Sequence, residues 1–161
     1  MTKEEFKYLF DKYFDSVRSY LFYRGAGIDE ASDLAQDVFL RLWKKQVDVD
    51  PDTIIGLLYK IAADMYISKY RRAKLEAKYV NSLTNDKIEI SPEDELMHKE
   101  LLINYKKALA SLTEKQRTVF LMSRMEGLKY HEIAGRLNLS VKAVEKRMNL
   151  ALSFLKNVLQ Q

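Results

Sequence analysis

The chain has 161 residues, 47% of them hydrophobic and 31% charged, with a net charge of +4 and only five Gly and two Pro. It is long enough for one compact domain or two small ones, and its scarcity of breakers favours helices over collagen-like, mucin-like or disordered chains. With no cysteine and two widely separated histidines, disulfide scaffolds, Cys-ligated zinc and thiol catalysis are excluded, and no metal or cofactor is expected.

The opening MTKEEF is charged and amphipathic, unlike a signal peptide. No apolar run approaches the 18 or so residues of a membrane span. The expectation is a soluble, cytoplasmic protein. Phe6, Leu9, Phe10, Tyr13, Val17 and Leu21 recur at spacings of three and four, one stripe of a first helix. Gly25 and Gly27 end it, and Asp29 is placed to cap the next, whose apolar side is Leu34, Ala35, Val38 and Leu42, with Phe39 and Trp43 alongside. Residues 47–52, rich in Asp and containing Pro51, read as a loop. A third helix turns Ile54, Ile55, Leu58, Ile61, Ala62 and Met65 inward, completing a small bundle.

Residues 81–90 show little periodicity. Ser91-Pro92-Glu93-Asp94 is a helix start with a capping serine, proline at the first position and acids in the first turn. Met97, Leu101, Tyr105, Ala108 and Leu112 continue that helix as a stripe. Thr113 and Gln116 have the spacing of a reciprocal capping box, and Gly127 closes the helix carrying Val119, Phe120 and Met122. No convincing strand pattern occurs, so the fold class is all-α, as two small helical domains on a linker.

Charge divides the chain in the same places. Residues 1–80 carry 14 basic and 13 acidic side chains, residues 81–100 two and six, and residues 101–161 eleven and four. The basic final third is where a polyanion would be attracted. A local cluster of Lys69, Arg71, Arg72, Lys74 and Lys78 is either a solvated helix end or a phosphate contact.

The most informative segment is YHEIAGRLNLSVKAVEKRM, residues 130–148. Ile133, Ala134 and Leu137 form the inner side of a short helix, with Ala134 small enough for close crossing. Asn138 suits a left-handed turn, Leu139 plugs the corner, and Ser140 caps a second helix. Val141, Val144, Met148, Ala151 and Leu152 then face inward. This is helix-turn-helix patterning, whose second helix enters the major groove. Its outward set of Lys142, Ala143, Glu145, Lys146, Arg147 and Asn149 contains side chains able to read guanine, cytosine and adenine edges or hold phosphates. The plainer reading is a helical hairpin with a solvated charged face.

Both halves together resemble bacterial sigma factors of the extracytoplasmic-function (ECF) type, in the sigma-70 family. DLAQDVFLRLW (33–43), LYKIA (58–62) and YRR (70–72) resemble region 2; ALASL (108–112), QRTVFL (116–121), EGL (126–128) and the helix-turn-helix resemble region 4. The resemblance implies a region-2-like domain over 1–80, an acidic linker over 81–100 and a region-4-like domain over 101–161. It implies a non-enzymatic subunit that joins core RNA polymerase and directs it to −10 and −35 promoter elements.

Under the resemblance Asp33, Gln36, Asp37, Leu40 and Arg41 would grip the clamp helices of the largest polymerase subunit, with Phe39 and Trp43 expected in the core. Exposed apolar groups ahead of the helix-turn-helix would meet the flap of the second-largest subunit. Lys60, Asp64, Tyr66, Lys69, Arg71 and Arg72, with the loop at 46–53, would expose and hold −10 bases, offsetting the few kcal/mol that unstacking costs; Tyr59 fits this role or the core. Ser140, Lys142, Ala143, Glu145, Lys146, Arg147 and Asn149 would meet the −35 element. An anti-sigma factor is a further implied partner, and the acidic linker would suit a basic RNA-exit channel.

The chain departs from the family pattern at Asp64 (often Asn), Ser68 (often Asp), Leu57 (usually Trp) and Ala143 (commonly Thr). An acid at Asp64 repels phosphate, so it should accept from a base amino group or pair with a cation. Ala143 can still touch a thymine methyl. Two other readings are open to test. One is a stand-alone dimeric helix-turn-helix regulator, and the other is a helical adaptor without DNA contact. An enzyme finds no support: His131-Glu132 lacks the second histidine of the metalloprotease motif.

Overall fold

The computed structural model describes residues 1–77 and 96–159. The expected connector at 81–90 and the Ser91–Pro92 helix start lie outside them. Among the described residues the chain is wholly helical: α1 (Lys3–Arg24), α2 (Ile28–Lys45), α3 (Ile54–Ala77), α4 (Leu96–Ser111), α5 (Glu114–Glu126), α6 (Tyr130–Leu137) and α7 (Val141–Leu159).

The first half is the α1–α3 bundle. Leu9, Val17 and Leu21 of α1 meet Leu34, Val38 and Leu42 of α2 and Leu58, Ile61 and Ala62 of α3, all buried. One end is closed by aromatics: Phe39 packs edge-on against Phe10 at 5.2 Å, and Phe6 against Trp43 at 5.2 Å. Edge-on packing satisfies the ring quadrupoles as well as burying area. Thr2 and Glu5 form a reciprocal capping box at the start of α1. Asp29 does not cap α2; Gly27 holds that position and Asp29 sits in the first turn, where its charge favours the positive end of the helix.

In the second half α7 lies against α4, α5 and α6. Thr113 Oγ1 accepts from the Gln116 N–H at 3.2 Å, which is one half of the expected box. Gly127 ends α5 with φ 67°, in the left-handed region glycine occupies without strain. Val144, Met148, Ala151 and Leu155 are the buried row of α7, whereas Val141 and Leu152 are exposed. The expected stripe was too wide, because α7 is covered along one side only.

The two halves pack together, α1 against α5 and α3 against α6. Arg117 contributes two hydrogen bonds to this contact: its Nε donates to the Tyr23 carbonyl at 2.6 Å and Nη2 to the Arg24 carbonyl at 2.9 Å. Tyr66 donates its hydroxyl to the same Arg24 carbonyl at 3.0 Å. Carbonyls at a helix C-terminus lack partners within the helix and carry partial negative charge, so a guanidinium there is doubly suited. Arg24 in turn pairs with Glu114. At the other end Asn138 Nδ2 donates to the Gly56 carbonyl at 3.2 Å. A Cβ on Gly56 would stand 2.9 Å from Asn138 Oδ1, so only glycine admits this approach without displacement.

Asn138 therefore has two jobs, a left-handed turn (φ 55°) and a contact between the halves. Asn138→Gly keeps the turn and loses the hydrogen bond, a cost of about 1 kcal/mol. Asn138→Ala adds roughly 1–2 kcal/mol of left-handed strain. Thermal unfolding should rank wild type above Asn138→Gly, and that above Asn138→Ala; equal stability of the two variants would remove the backbone argument.

Candidate nucleic-acid and polymerase interfaces

Ser140 precedes α7, and its Oγ accepts from the Ala143 N–H at 3.1 Å. That bond fixes where the first turn of α7 begins, and hence which side chains share its outer face. Lys142, Glu145, Lys146 and Asn149 are exposed and line one shallow groove together with Leu150 and Ser153. Leu150 and Ser153, a turn or two further along the same face, were not among the expected residues. Ala143 is half-buried beside them. Arg147 is the exception. It is half-buried and turns toward α1 and α3, where it lines the recess between the halves. Its spacing on α7 leads away from the row that Lys142, Lys146 and Asn149 share.

On α2, Asp33, Gln36, Asp37, Leu40 and Arg41 are all exposed. Their spacings of three, one, three and one place them along a single ridge, with Leu40 53% exposed toward its C-terminal end. The opposite face holds Leu34, Val38, Phe39 and Leu42 in the core. Phe39 is only 1% exposed, which makes it core; Trp43 is half-buried against Phe6. An amphipathic helix with acids and one large apolar group outward is suited to a partner helix carrying basic and apolar side chains.

Lys60 and Asp64 are exposed one turn apart on α3, and Lys69 lies 3.9 Å from Glu30. The side chains of Arg71 and Arg72 lie outside those described. Tyr66, expected to stack on bases, is 7% exposed and spent on the Arg24 carbonyl. Its ring instead stacks with that of Tyr70 at 6.1 Å, and Tyr70 is half in solvent. Tyr70, inside the YRR motif, is thus the exposed aromatic ring of this pair, and it is not among the expected site residues. Tyr59 is core: 1% exposed, its hydroxyl accepting from Arg136 Nη1 at 3.1 Å, its titration pushed upward by burial. Ahead of the helix-turn-helix, Ile103 on α4 and Met125 on α5 are exposed apolar groups.

Glu126 adds a pH-sensitive element behind the helix-turn-helix. Its Oε2 is buried without a hydrogen bond and lies 3.7 Å from Arg136 Nη1. Burial pushes this carboxyl above its ordinary 4.5, an effect partly countered by the Arg136 guanidinium. The native state then binds the proton more readily than the unfolded chain, so this group's contribution to stability declines as pH rises from 4.5 through the raised value. Urea unfolding across that range should show wild type losing stability relative to Glu126→Gln as pH increases. A pH-independent difference between the two would contradict the assignment.

The comparisons with known proteins fit this geometry. A family model described as "Sigma-70, region 4" matches residues 102–155, the helix-turn-helix and the helices before it. The chain is 30% identical over 143 residues to the ferric citrate uptake sigma factor FecI of Escherichia coli (strain K12), covering 88% of this chain and 83% of that one. It is 26% identical over 158 residues to the ECF RNA polymerase sigma factor SigW of Bacillus subtilis (strain 168), covering 91% and 84%. In fold it is similar to the sigma factor RpoE of Bartonella quintana, solved in complex with the anti-sigma factor NepR, at a TM-score of 0.68 and 21% identity over 98% of each chain. None of the described helices is long and apolar enough to cross a membrane. A relative matched across both halves, together with a region 4 model on the basic module, places this chain among the ECF sigma factors of the sigma-70 family.

Proposed function

We propose that this sigma factor, acting in promoter-directed initiation, reads the −35 element with the outer face of α7 and the −10 element with the exposed face of α3. Lys142, Glu145, Lys146 and Asn149 would contact base edges or phosphates, with Ser140 and Ala143 at the helix entrance. Lys60, Asp64, Lys69, Arg71 and Arg72 would hold the opened strand, with Tyr70 as the stacking surface beside the buried Tyr66. The α2 ridge of Asp33, Gln36, Asp37, Leu40 and Arg41 would bind the clamp helices of core polymerase, and Ile103 and Met125 would meet the flap.

The observation that carries this reading is the exposure of both surfaces at once. The α7 face is open to solvent while the α2 ridge projects from the other half, and neither is used by the packing between the halves. RpoE was solved with an anti-sigma factor, and an inhibitor of that class is the regulator we assign to this chain. The site of action is the cytoplasm, where polymerase works.

Gel filtration with core polymerase and mobility shifts on promoter fragments test the reading together. The chain should co-elute with core polymerase, and specific DNA binding should require the complex. Tight operator binding by the chain alone, on two symmetric half-sites, would favour a dimeric regulator instead. Failure to bind core polymerase would eliminate the proposal.

A further inference from the structure

Between the two halves lies a recess of about 610 Å³, walled by α1, α3, α5, the end of α6 with the turn after it, and one side chain of α7. That volume is in the range of small-ligand sites. Five cationic side chains and a single carboxylate face it. Arg24 and Arg136 are committed, to Glu114 and Glu126. The other three are Lys60 from the first half and Lys115 and Arg147 from the second. None of the three forms an ion pair with a carboxylate among the described residues. Packing the halves together therefore gathers uncompensated positive charge in a concave space, where like charges oppose closure. One wall is apolar, from half-buried Leu57, Ala63 and Leu139.

We propose that this recess binds a small phosphate polyanion that bridges Lys60 to Lys115 and Arg147 and so holds the two halves of the chain together. A chain of two or three phosphoryl groups offers several acceptors to two lysine point charges and one guanidinium fork, and removes the repulsion that closure creates. The ligand contacts both halves, so it binds the packed arrangement in preference to a separated one. It stabilises that arrangement in proportion to its concentration over its dissociation constant. A partner that separates the halves competes with the anion, and the coupling is reciprocal. The recess is distinct from the α7 groove, since only Arg147 of that helix reaches it.

Inorganic triphosphate and a nucleoside triphosphate share this chemistry, and the apolar wall is available only to the nucleoside. The absence of cysteine allows a donor and an acceptor dye to be attached at cysteines introduced in place of Lys44 on α2 and Lys156 on α7 of the full chain. Calorimetry and energy transfer are then followed with inorganic triphosphate, with ATP, and with a short DNA duplex. Triphosphate should bind at one equivalent and raise energy transfer. Lys115→Ala should weaken it at least tenfold, and Lys45→Ala, remote from the recess, should leave it unchanged. Tighter binding of ATP would assign the nucleotide as the ligand, and equal binding the phosphate chain alone. No saturable binding, equal losses in Lys115→Ala and Lys45→Ala, binding without a rise in energy transfer, or displacement of triphosphate by the duplex would each overturn the proposal.

Discussion

Charge reversal on the α2 ridge, with Asp33→Lys and Asp37→Lys together, should abolish stable association with core polymerase while leaving thermal unfolding nearly unchanged. Both carboxylates are exposed and take no part in an ion pair among the described residues, so the fold does not depend on them. At an interface the same change leaves the partner's cations facing like charge, and loss of a close charge pair costs about 2–5 kcal/mol, roughly thirtyfold or more in affinity. Leu40→Ala should weaken binding further without unfolding the chain. Phe39→Ala, one residue away and buried, should cost about 3–5 kcal/mol of stability. Affinity for immobilised core polymerase, read beside circular dichroism melts, separates the two classes. Unchanged affinity in the double reversal would move the polymerase contact off α2.

Substitutions along α7 should give a graded pattern rather than a uniform one. Removing a base-reading side chain costs about 1–3 kcal/mol and relaxes preference at one position, whereas removing a phosphate contact weakens every sequence alike and lowers the salt dependence. Glu145 has no attraction for phosphate, so Glu145→Ala should alter sequence preference more than overall affinity. Lys142→Ala and Lys146→Ala should lose affinity on all promoters to the extent that they hold phosphates. Arg147→Ala should affect the packing between the halves as well, because its side chain reaches the recess. Competition binding by the polymerase complex on a promoter set varied one −35 position at a time checks this. Equal losses for every variant on every promoter would exclude readout by α7.

Much of this architecture is legible in the sequence because burial leaves a period. The stripes of α1, α2 and α3, the Gly127 stop and the Asn138 turn follow from spacing and local stereochemistry, and the structure places them accordingly. The α2 ridge is legible for the same reason, as the complement of a buried stripe. The packing between the halves is not. Arg117 on the Tyr23 and Arg24 carbonyls, or Asn138 on the Gly56 carbonyl, joins residues 82 to 94 positions apart. A side chain bonded to a distant backbone carbonyl leaves no mark on periodicity. Tyr66 is a case of this: its hydroxyl bonds the end of α1, which its neighbours on α3 do not reveal. Tyr70, the exposed ring stacked on it, becomes evident only once Tyr66 is seen to be buried. Arg147 departs from its expected face because what it meets lies in the other half.

The most direct measurement is run-off transcription from genomic fragments by core polymerase, with and without this chain. Discrete transcripts should appear only when the chain is added, and an Asn149→Ala variant should redistribute them among fragments. Core polymerase producing the same transcripts in the chain's absence, or none in its presence, would contradict the account.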